Sequence, residues 1–338
     1  MNTKDSKYTQ YTLSREMLQT VQTVQRFDPT RTAALAKSIS GAAGLFLTGE
    51  GSSRIFPAKN AIHKALKWGL KQPIETQGSR QAMMYDLSRL AVMASSNSGR
   101  TSEVIVLMKK LKSQGHSMRF GLTANENTLL HETCNETFVL TCGGEDAVAA
   151  TKSVAEQALF YQSVVSHLAG RNVRADLAGL DAKLQQALSM PIDPAIIKAA
   201  ANAGTIYFAG LNDGVAEELT LKTNEITRKK SDFLEGTYAV HGIEEVMDKN
   251  DIVFVVDPIP EEMEKFKKVL VDGVGLKVVA IADRPTMFDT IVTPDAGEMS
   301  AFVQLCAGWN VLVEIGLALG INLDKPQRAR KVGNEFVG

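Results

Sequence analysis

Two stretches of the chain have the same construction, LFLTGEGSS (45–53) and IYFAGLNDG (206–214). Each is a short apolar run that ends in glycine and small polar residues and then enters a helical pattern. Such a run is typical of a buried strand that turns into a helix. Because the pattern restarts at Ile206, the sequence predicts two copies of one α/β unit.

Further apolar runs and helical patterns alternate in both halves. Besides the two runs above, strands are predicted at 91–95, 118–122, 138–141, 252–256, 278–282 and 290–292. Helices are predicted at 55–68, 102–112, 146–168, 216–229, 261–271 and 298–319. Strands that are separated by helices need crossover connections, so the sheets should be parallel.

The pattern also predicts where the domains lie. We expect a helical extension over residues 1–27, a first domain over 28–172, a second domain over 195–322 and a C-terminal tail over 323–338. The amphipathic pattern at 14–27 and the stretch LDAKLQQALSMP (180–191) predict two further helices, the second of which links the domains.

Composition excludes several classes of function. The 338 residues are 44% apolar and 22% charged, with a net charge of −1, so we expect no nucleic-acid partner. The longest uncharged stretch, 299–313, is interrupted by polar residues, so we expect no membrane span. The N-terminus is polar, so we expect no signal peptide. Three cysteines and five scattered histidines indicate a reducing cytoplasm and no metal site.

Two turns rich in hydroxyl groups follow predicted strands, at 49–53 and at 95–101. Backbone N–H groups and hydroxyls at the start of a helix form a cradle for an oxyanion. The alternative is plain helix capping, which Ser, Thr and Asn perform without any ligand. Two such turns in neighbouring units favour the cradle, because the ends of adjacent parallel strands converge.

Three segments, GEGSS (49–53), SSNSGRTSE (95–103) and CGGEDAVAATKS (142–153), resemble the sugar isomerase (SIS) domain family. The likeness covers about residues 14–338 and is greatest to the isomerase half of glucosamine-6-phosphate synthase and to stand-alone phosphosugar isomerases and deaminases. It implies two SIS domains, each a flavodoxin-like three-layer sandwich, and a tail that folds over the active site.

The resemblance also implies ligands for a sugar phosphate. The implied phosphate ligands are Ser53, Ser96, Asn97, Ser98 and Thr101. Arg100 stands where the synthase has an acidic residue. The arginine would add attraction for an anion; the alternative is an ion pair with a neighbouring carboxylate. Glu145, Val148 and Ala150 would line the sugar; for Glu145, the alternative is a carboxylate in the first turn of a helix.

The stretch AEELTLKTNE (216–225) places Glu218, Lys222 and Glu225 on one helix face. A solvated ladder of ion pairs is the commoner use of such spacing. The resemblance instead implies functional positions, with Glu225 as the general base, Glu218 at the substrate site and Lys222 as an electrostatic partner. It further implies that His241 opens the sugar ring from the neighbouring subunit, and that Lys331 lies in the tail over the site.

These residue types suit aldose–ketose isomerisation of an anionic hexose, such as a hexose 6-phosphate or an amino sugar phosphate. No metal and no organic cofactor is required, and we expect a homodimer with composite active sites. Deamination of an amino sugar phosphate, deglycation of a fructosamine phosphate and isomerisation of a 6-sulfo sugar (sulfoquinovose) remain open. So do a non-enzymatic sugar-phosphate sensor and a structural homodimer that its ligand only stabilises.

Overall fold

The computed structural model describes residues 1–329 and 335–336, which form two compact units. The first-sheet unit consists of Gln22–Asp146, Ala150–Ala178 and residues 335–336. The second-sheet unit consists of Met1–Val21, Ala147–Ala149 and Gly179–Ala329.

The bounds of the elements follow in chain order. The strands are β1 (Gly44–Gly49), β2 (Ile74–Gly78), β3 (Leu90–Ser95), β4 (Arg119–Thr123), β5 (Glu136–Val139), β6 (Thr205–Gly210), β7 (Lys230–Glu235), β8 (Ile252–Val256), β9 (Lys277–Ala282) and β10 (Asp289–Val292). The α-helices are α1 (Ser6–Thr9), α2 (Thr12–Arg26), α3 (Ala33–Ile39), α4 (Ile55–Lys67), α5 (Ser79–Ala82), α6 (Ser102–Ser113), α7 (Leu129–Thr133), α8 (Lys152–Leu168), α9 (Val173–Asp176), α10 (Leu180–Ser189), α11 (Pro194–Asn202), α12 (Val215–Thr227), α13 (Met263–Phe266) and α14 (Ser300–Ala318). Short 3₁₀ turns lie at Pro29–Thr32, Gly51–Ser53, Tyr238–Val240, Ile243–Val246, Pro260–Glu262 and Gly297–Met299, and a π-helical turn at Lys267–Val274.

The two sheets have the same topology. The first sheet has the order β2-β1-β3-β4-β5, and the second, read from its other edge, has the order β7-β6-β8-β9-β10. Every neighbouring pair is parallel. The expected α/β class, with two parallel sheets flanked by helices, is therefore confirmed.

The central strands form the cores of the two units. All six residues of β1 and all five of β8 are buried. Leu45 in β1 lies opposite both Ile74 and Ala91, so this strand is paired on both sides. Helices cover both faces of such a sheet, which is why its strands read as continuous apolar runs rather than as an alternating pattern.

The most apolar helix, α14, belongs to the core of the second-sheet unit. The segment Gly297–Ala318 is long and apolar enough to cross a membrane. However, 83% of its most apolar 18-residue stretch is buried inside the protein. Gly308 of this helix packs against Leu219 of α12 so closely that a Cβ atom would collide with the leucine side chain. This close approach fixes the position of α12, which carries three of the candidate residues.

Several sequence-based expectations need correction. The helix predicted to begin at Asp146 begins at Lys152, and the preceding residues 142–151 form an irregular loop. The helix predicted over 261–271 is divided among Pro260–Glu262, α13 and the π-helical turn. Strands β2 and β7 were not predicted, because both are edge strands that mix polar and apolar residues.

Candidate active site

The turn after β3, residues 96–101, is called the serine loop here. The hydroxyl groups of Ser96 and Thr101 lie 2.8 Å apart, and the Ser98 hydroxyl accepts a hydrogen bond of 3.2 Å from the N–H of Arg100. The loop closes through a bond of 3.0 Å from the N–H of Gly99 to the carbonyl of Ser96. These contacts hold the hydroxyl groups of the loop close to one another, directly before α6.

The N-cap residues of the helices that follow the two turns supply no side-chain cap. Thr101, at the start of α6, makes no side-chain capping bond, and neither does Arg54 at the start of α4. The Ser96 hydroxyl accepts a hydrogen bond of 3.4 Å from the N–H of Thr101, so capping within the turn stays an alternative to the cradle. An N-terminus that lacks a side-chain cap keeps N–H donors and a positive partial charge available to an anion.

The turn that contains Ser53 lies beside the serine loop. Ser53 ends the short 3₁₀ turn Gly51–Ser53, directly after β1. Since β1 and β3 are neighbours in the sheet, both turns lie at the carboxyl edge. The strand ends touch, because a Cβ atom built on Gly49 would come within 2.8 Å of the Ser95 carbonyl oxygen. The strand order therefore brings the two hydroxyl-rich turns together, as expected.

The segment after β4 packs against the serine loop and forms hydrogen bonds with it. The carbonyl of Asn97 accepts hydrogen bonds from the Ala124 N–H at 3.1 Å and from the Asn125 side-chain amide at 2.8 Å. Gly99 has a φ of +66° and packs against Thr128 with no room for a Cβ atom. Asn125 and Thr128 were not singled out in the sequence, where polar residues after a strand look like an ordinary turn.

Glu145 is buried and accepts hydrogen bonds from several protein groups. Its carboxylate accepts from the N–H of Thr151 at 2.8 Å, from the hydroxyl of Ser153 and from the side-chain amide of Asn97 at 3.3 Å. Glu145 lies in the loop before α8, so the alternative of a first-turn helical residue is wrong. Its contacts join this loop, which also carries the half-buried Val148 and Ala150, to the serine loop.

A second buried carboxylate, Glu156, holds the start of the same loop. It accepts hydrogen bonds from the N–H groups of Thr141 at 2.8 Å and Cys142 at 2.7 Å, and lies 3.8 Å from Arg31. The burial of Cys142 and the nearby carboxylates of Glu156 and Glu145 raise the pKa of its thiol. The sequence analysis missed Glu156, since a glutamate within a predicted helix gives no distinguishing signal.

Helix α12 brings Glu218, Lys222 and Glu225 together. The Nζ atom of Lys222 lies 3.2 Å from a carboxylate oxygen of Glu218 and 2.7 Å from one of Glu225. The side chains of Lys222 and Glu218 are 0% exposed, whereas that of Glu225 is 25% exposed. The solvated-ladder alternative is therefore wrong. Burial lowers the pKa of Lys222, but the carboxylates of Glu225 and Glu218 outweigh it and raise this pKa overall.

Glu225 lines a cleft of about 630 Å³ that has a cationic rim. The lining residues are Asn224, Glu225, Arg228, Lys229, Lys230, Pro326, Gln327, Arg328 and Ala329. Arg228 takes a left-handed conformation, with a φ of +57°, at the end of α12. Its guanidinium donates to the carbonyls of Asn322 at 3.3 Å and Lys325 at 2.6 Å, which attaches the start of the tail to the cleft.

The remaining catalytic candidates are His241 and Lys331. His241 is exposed after the turn Tyr238–Val240, and its Nε2 atom lies 3.1 Å from the Nζ of Lys265. Lys331 lies outside the described residues. Across residues 1–329 and 335–336, no three His, Cys, Asp or Glu side chains are grouped as metal ligands.

Several solved structures have a similar architecture. Glucosamine-fructose-6-phosphate aminotransferase from Francisella tularensis matches through its C-terminal domain with a TM-score of 0.77 and 19% identity over 96% of this chain and 100% of that one. Glucosamine-6-phosphate deaminase from Thermotoga maritima matches with a TM-score of 0.76 and 19% identity, over 96% of this chain and 99% of that one. Tagatose-6-phosphate ketose/aldose isomerase from Escherichia coli matches with a TM-score of 0.76 and 18% identity, over 96% of this chain and 98% of that one.

These similarities establish the fold. The expected likeness to phosphosugar isomerases and to the isomerase half of the synthase is confirmed at that level. No protein-family model matches the sequence, and no curated protein matches it by sequence.

Proposed function

We propose that this protein is an aldose–ketose isomerase that acts on an anionic hexose, either a hexose 6-phosphate or an amino sugar phosphate. The observation that carries the proposal is the arrangement on α12, where buried Lys222 holds Glu225 at 2.7 Å beside an open cationic cleft. A carboxylate that is fixed by a buried cation and open to a cleft is a group that can transfer protons. The names of the structural neighbours support phosphosugar chemistry.

The serine loop binds the anionic group in this proposal. The strand order of each unit supports the flavodoxin-like sandwich, in which ligands bind where neighbouring strands lead to opposite sides of the sheet. In the first sheet that point lies between β1 and β3, next to Ser53 and the serine loop. Glu145 then acts as the residue that joins the sugar-lining loop, with Val148 and Ala150, to the anion site.

Glu225 moves the proton between C1 and C2 of the open-chain sugar. Its carboxylate takes the proton from C2, the electron pair of the C–H bond forms the double bond of an enediol, and the carbonyl oxygen gains a proton. Glu225 then returns its proton to C1 while the C2 hydroxyl becomes the ketone, and the proton that this hydroxyl loses balances the one gained by the C1 oxygen. Lys222 orients the carboxylate, His241 acts in ring opening, and Lys331 of the tail stabilises the developing oxyanion.

The experiment that tests the proposal follows proton exchange at C1 and C2 in deuterated water by NMR. The substrates are hexose 6-phosphates, amino sugar phosphates and a 6-sulfo sugar. Exchange with one of them, together with formation of the isomer, supports an isomerase. Binding without exchange across the whole panel would instead support a sugar-phosphate sensor.

Two related activities have specific support. The fold is shared with a glucosamine-6-phosphate deaminase, and release of ammonia in the same assay would identify deamination or the related deglycation of a fructosamine phosphate. The exposed Arg100 adds positive charge to a loop proposed to bind a tetrahedral oxyanion, so a sulfonate is the second alternative. A 6-sulfo sugar that exchanges faster than every phosphate would establish it.

We expect Ser98→Ala to raise KM by roughly 10- to 100-fold, because it removes a charge-assisted contact of about 1.5–3 kcal/mol. The value of kcat should change little. Ser113→Ala, at the far end of α6, is the matched control, since its hydroxyl bonds only to the Lys110 carbonyl. Wild-type affinity of Ser98→Ala for every active substrate would remove the serine loop from the anion site.

We further propose a homodimer with composite active sites, in which His241 serves the neighbouring subunit. The exposure of His241 supports this role. Mixing an inactive His241→Ala chain with an inactive Glu225→Gln chain should restore part of the activity, because some hybrid dimers carry one intact site. No recovery after verified subunit exchange would exclude shared sites.

A further inference from the structure

We propose that Phe336, near the C-terminus, is a positioning residue that holds the serine loop in its binding conformation. The proposal rests on the anion site proposed above. Phe336 donates its N–H to the carbonyl of Arg100 at 2.9 Å, and Glu335 forms an antiparallel bridge with Thr101. The C-terminal residues therefore pair with the backbone of the loop itself.

The ring of Phe336 anchors this pairing. The Nζ atom of Lys109 lies 3.9 Å from the ring centroid, a distance typical of a cation–π interaction. The half-buried ring also packs against the apolar cluster of the first sheet, which includes Val104 and Leu107 of α6. Because both contacts are made by the side chain, its removal leaves only the short backbone pairing.

The pairing lies at the second half of the loop, where the hydrogen bonds of Arg100 to Ser98 and of Thr101 to Ser96 stay within the loop itself. Asn97 and Gly99 are held by the segment after β4, through the Asn125 amide and Thr128. Arg100 is exposed, and its carbonyl accepts the Phe336 N–H. Thr101 follows directly, and its hydroxyl contacts Ser96 at 2.8 Å. The C-terminal residues thus fix the second half of a loop whose first half is fixed elsewhere.

A loop that is ordered before binding pays less conformational entropy when the anion arrives. We therefore expect Phe336 to affect the affinity for anions and to leave the chemical step unchanged. Phe336→Ala should raise the Kd for inorganic phosphate and the KM for the active sugar roughly tenfold, with kcat within about twofold of wild type. Phe336→Tyr, which keeps the ring, should restore both values.

The test combines hydrogen exchange of the serine-loop amides with calorimetric titration of inorganic phosphate on the full-length protein. Phe336→Ala should speed exchange of residues 96–101, whereas the strands β1 and β3 should keep their protection. Lys109→Gln should show a smaller effect in the same direction. Tyr85→Ala is the matched control, because Tyr85 is a partly exposed aromatic residue whose hydroxyl bonds to Gln81.

Each outcome decides one claim. Unchanged exchange of the loop in Phe336→Ala, or phosphate affinity equal to that of wild type, would overturn the role of Phe336 and leave the proposed function standing. A wild-type protein that does not bind phosphate or any anionic sugar would overturn the anion site, and with it the role of Phe336. Faster exchange, weaker phosphate binding and recovery in Phe336→Tyr would together establish both.

Discussion

Glu225→Gln should lower kcat by about 10²–10⁴-fold, the usual contribution of a general base, while KM changes little. Glutamine has nearly the same shape as glutamate and can still interact with Lys222, but it cannot accept the proton from the sugar. The measurement is the rate of C1/C2 deuterium exchange on the active substrate. Loss of exchange together with retained substrate binding would assign the chemical step to Glu225.

Glu218→Gln provides the matched comparison on the same helix. Glu218 contacts Lys222 at 3.2 Å and is fully buried, whereas Glu225 reaches the cleft. If Glu218 only supports Lys222, its variant should lose less activity than Glu225→Gln. Exchange at the wild-type rate in Glu225→Gln would instead remove Glu225 from the mechanism, and Glu218, Glu235 and Glu145 would become the next candidates.

Lys222→Met should lower the free energy of unfolding by about 3–5 kcal/mol, because it removes the buried cation that lies 3.2 Å from the buried carboxylate of Glu218. Denaturant unfolding at neutral pH measures the loss. The double variant Glu218→Gln/Lys222→Met should recover part of the stability, since it removes both charges. A single variant as stable as the wild type would show that the buried ion pair contributes nothing.

The pH dependence of this loss has a definite sign. The pKa of Lys222 is raised above its usual value of 10.5, so the folded state binds this proton more tightly than the unfolded state. Its stabilising contribution is fully present below about pH 10.5 and is lost as the pH rises through the higher folded pKa. The difference between wild type and Lys222→Met should thus be constant from about pH 6 to 9 and shrink only at strongly alkaline pH.

The elements that could be predicted are those whose signal is local. The runs at 45–48 and 252–256 are apolar because both sheet faces are covered, and the structure confirms them as β1 and β8. The edge strands β2 and β7 lack that signal. In β7, Lys230 and Asp232 are interspersed with apolar residues, because this strand has a partner on one side only.

The start of α8 shows how tertiary contacts override local preference. The stretch EDAVAA (145–150) favours a helix by composition, yet it forms an irregular loop. Two buried carboxylates, Glu145 and Glu156, accept hydrogen bonds from backbone N–H groups of this loop and of the first turn. These hydrogen bonds join residues that only folding brings together, so no local sequence pattern predicts them.

The candidate site could be predicted in part. The spacing of Glu218, Lys222 and Glu225 predicts a shared helix face, but the sequence cannot show that this face is buried. The contacts of Arg228 and Phe336 had no sequence signal, because each residue hydrogen-bonds to backbone carbonyls that are distant along the chain.

The shared strand order has a consequence for the ancestry of the chain. Two units with the same order of strands are what duplication and fusion of one ancestral gene would leave. Helix α12 follows β6 as α4 follows β1, so the two helices are counterparts within the repeat. One copy kept hydroxyl groups before its helix, while the other placed carboxylates and a lysine within it. In the proposed function, ligand capture and proton transfer, which place conflicting demands on charge, therefore belong to separate copies of the repeat.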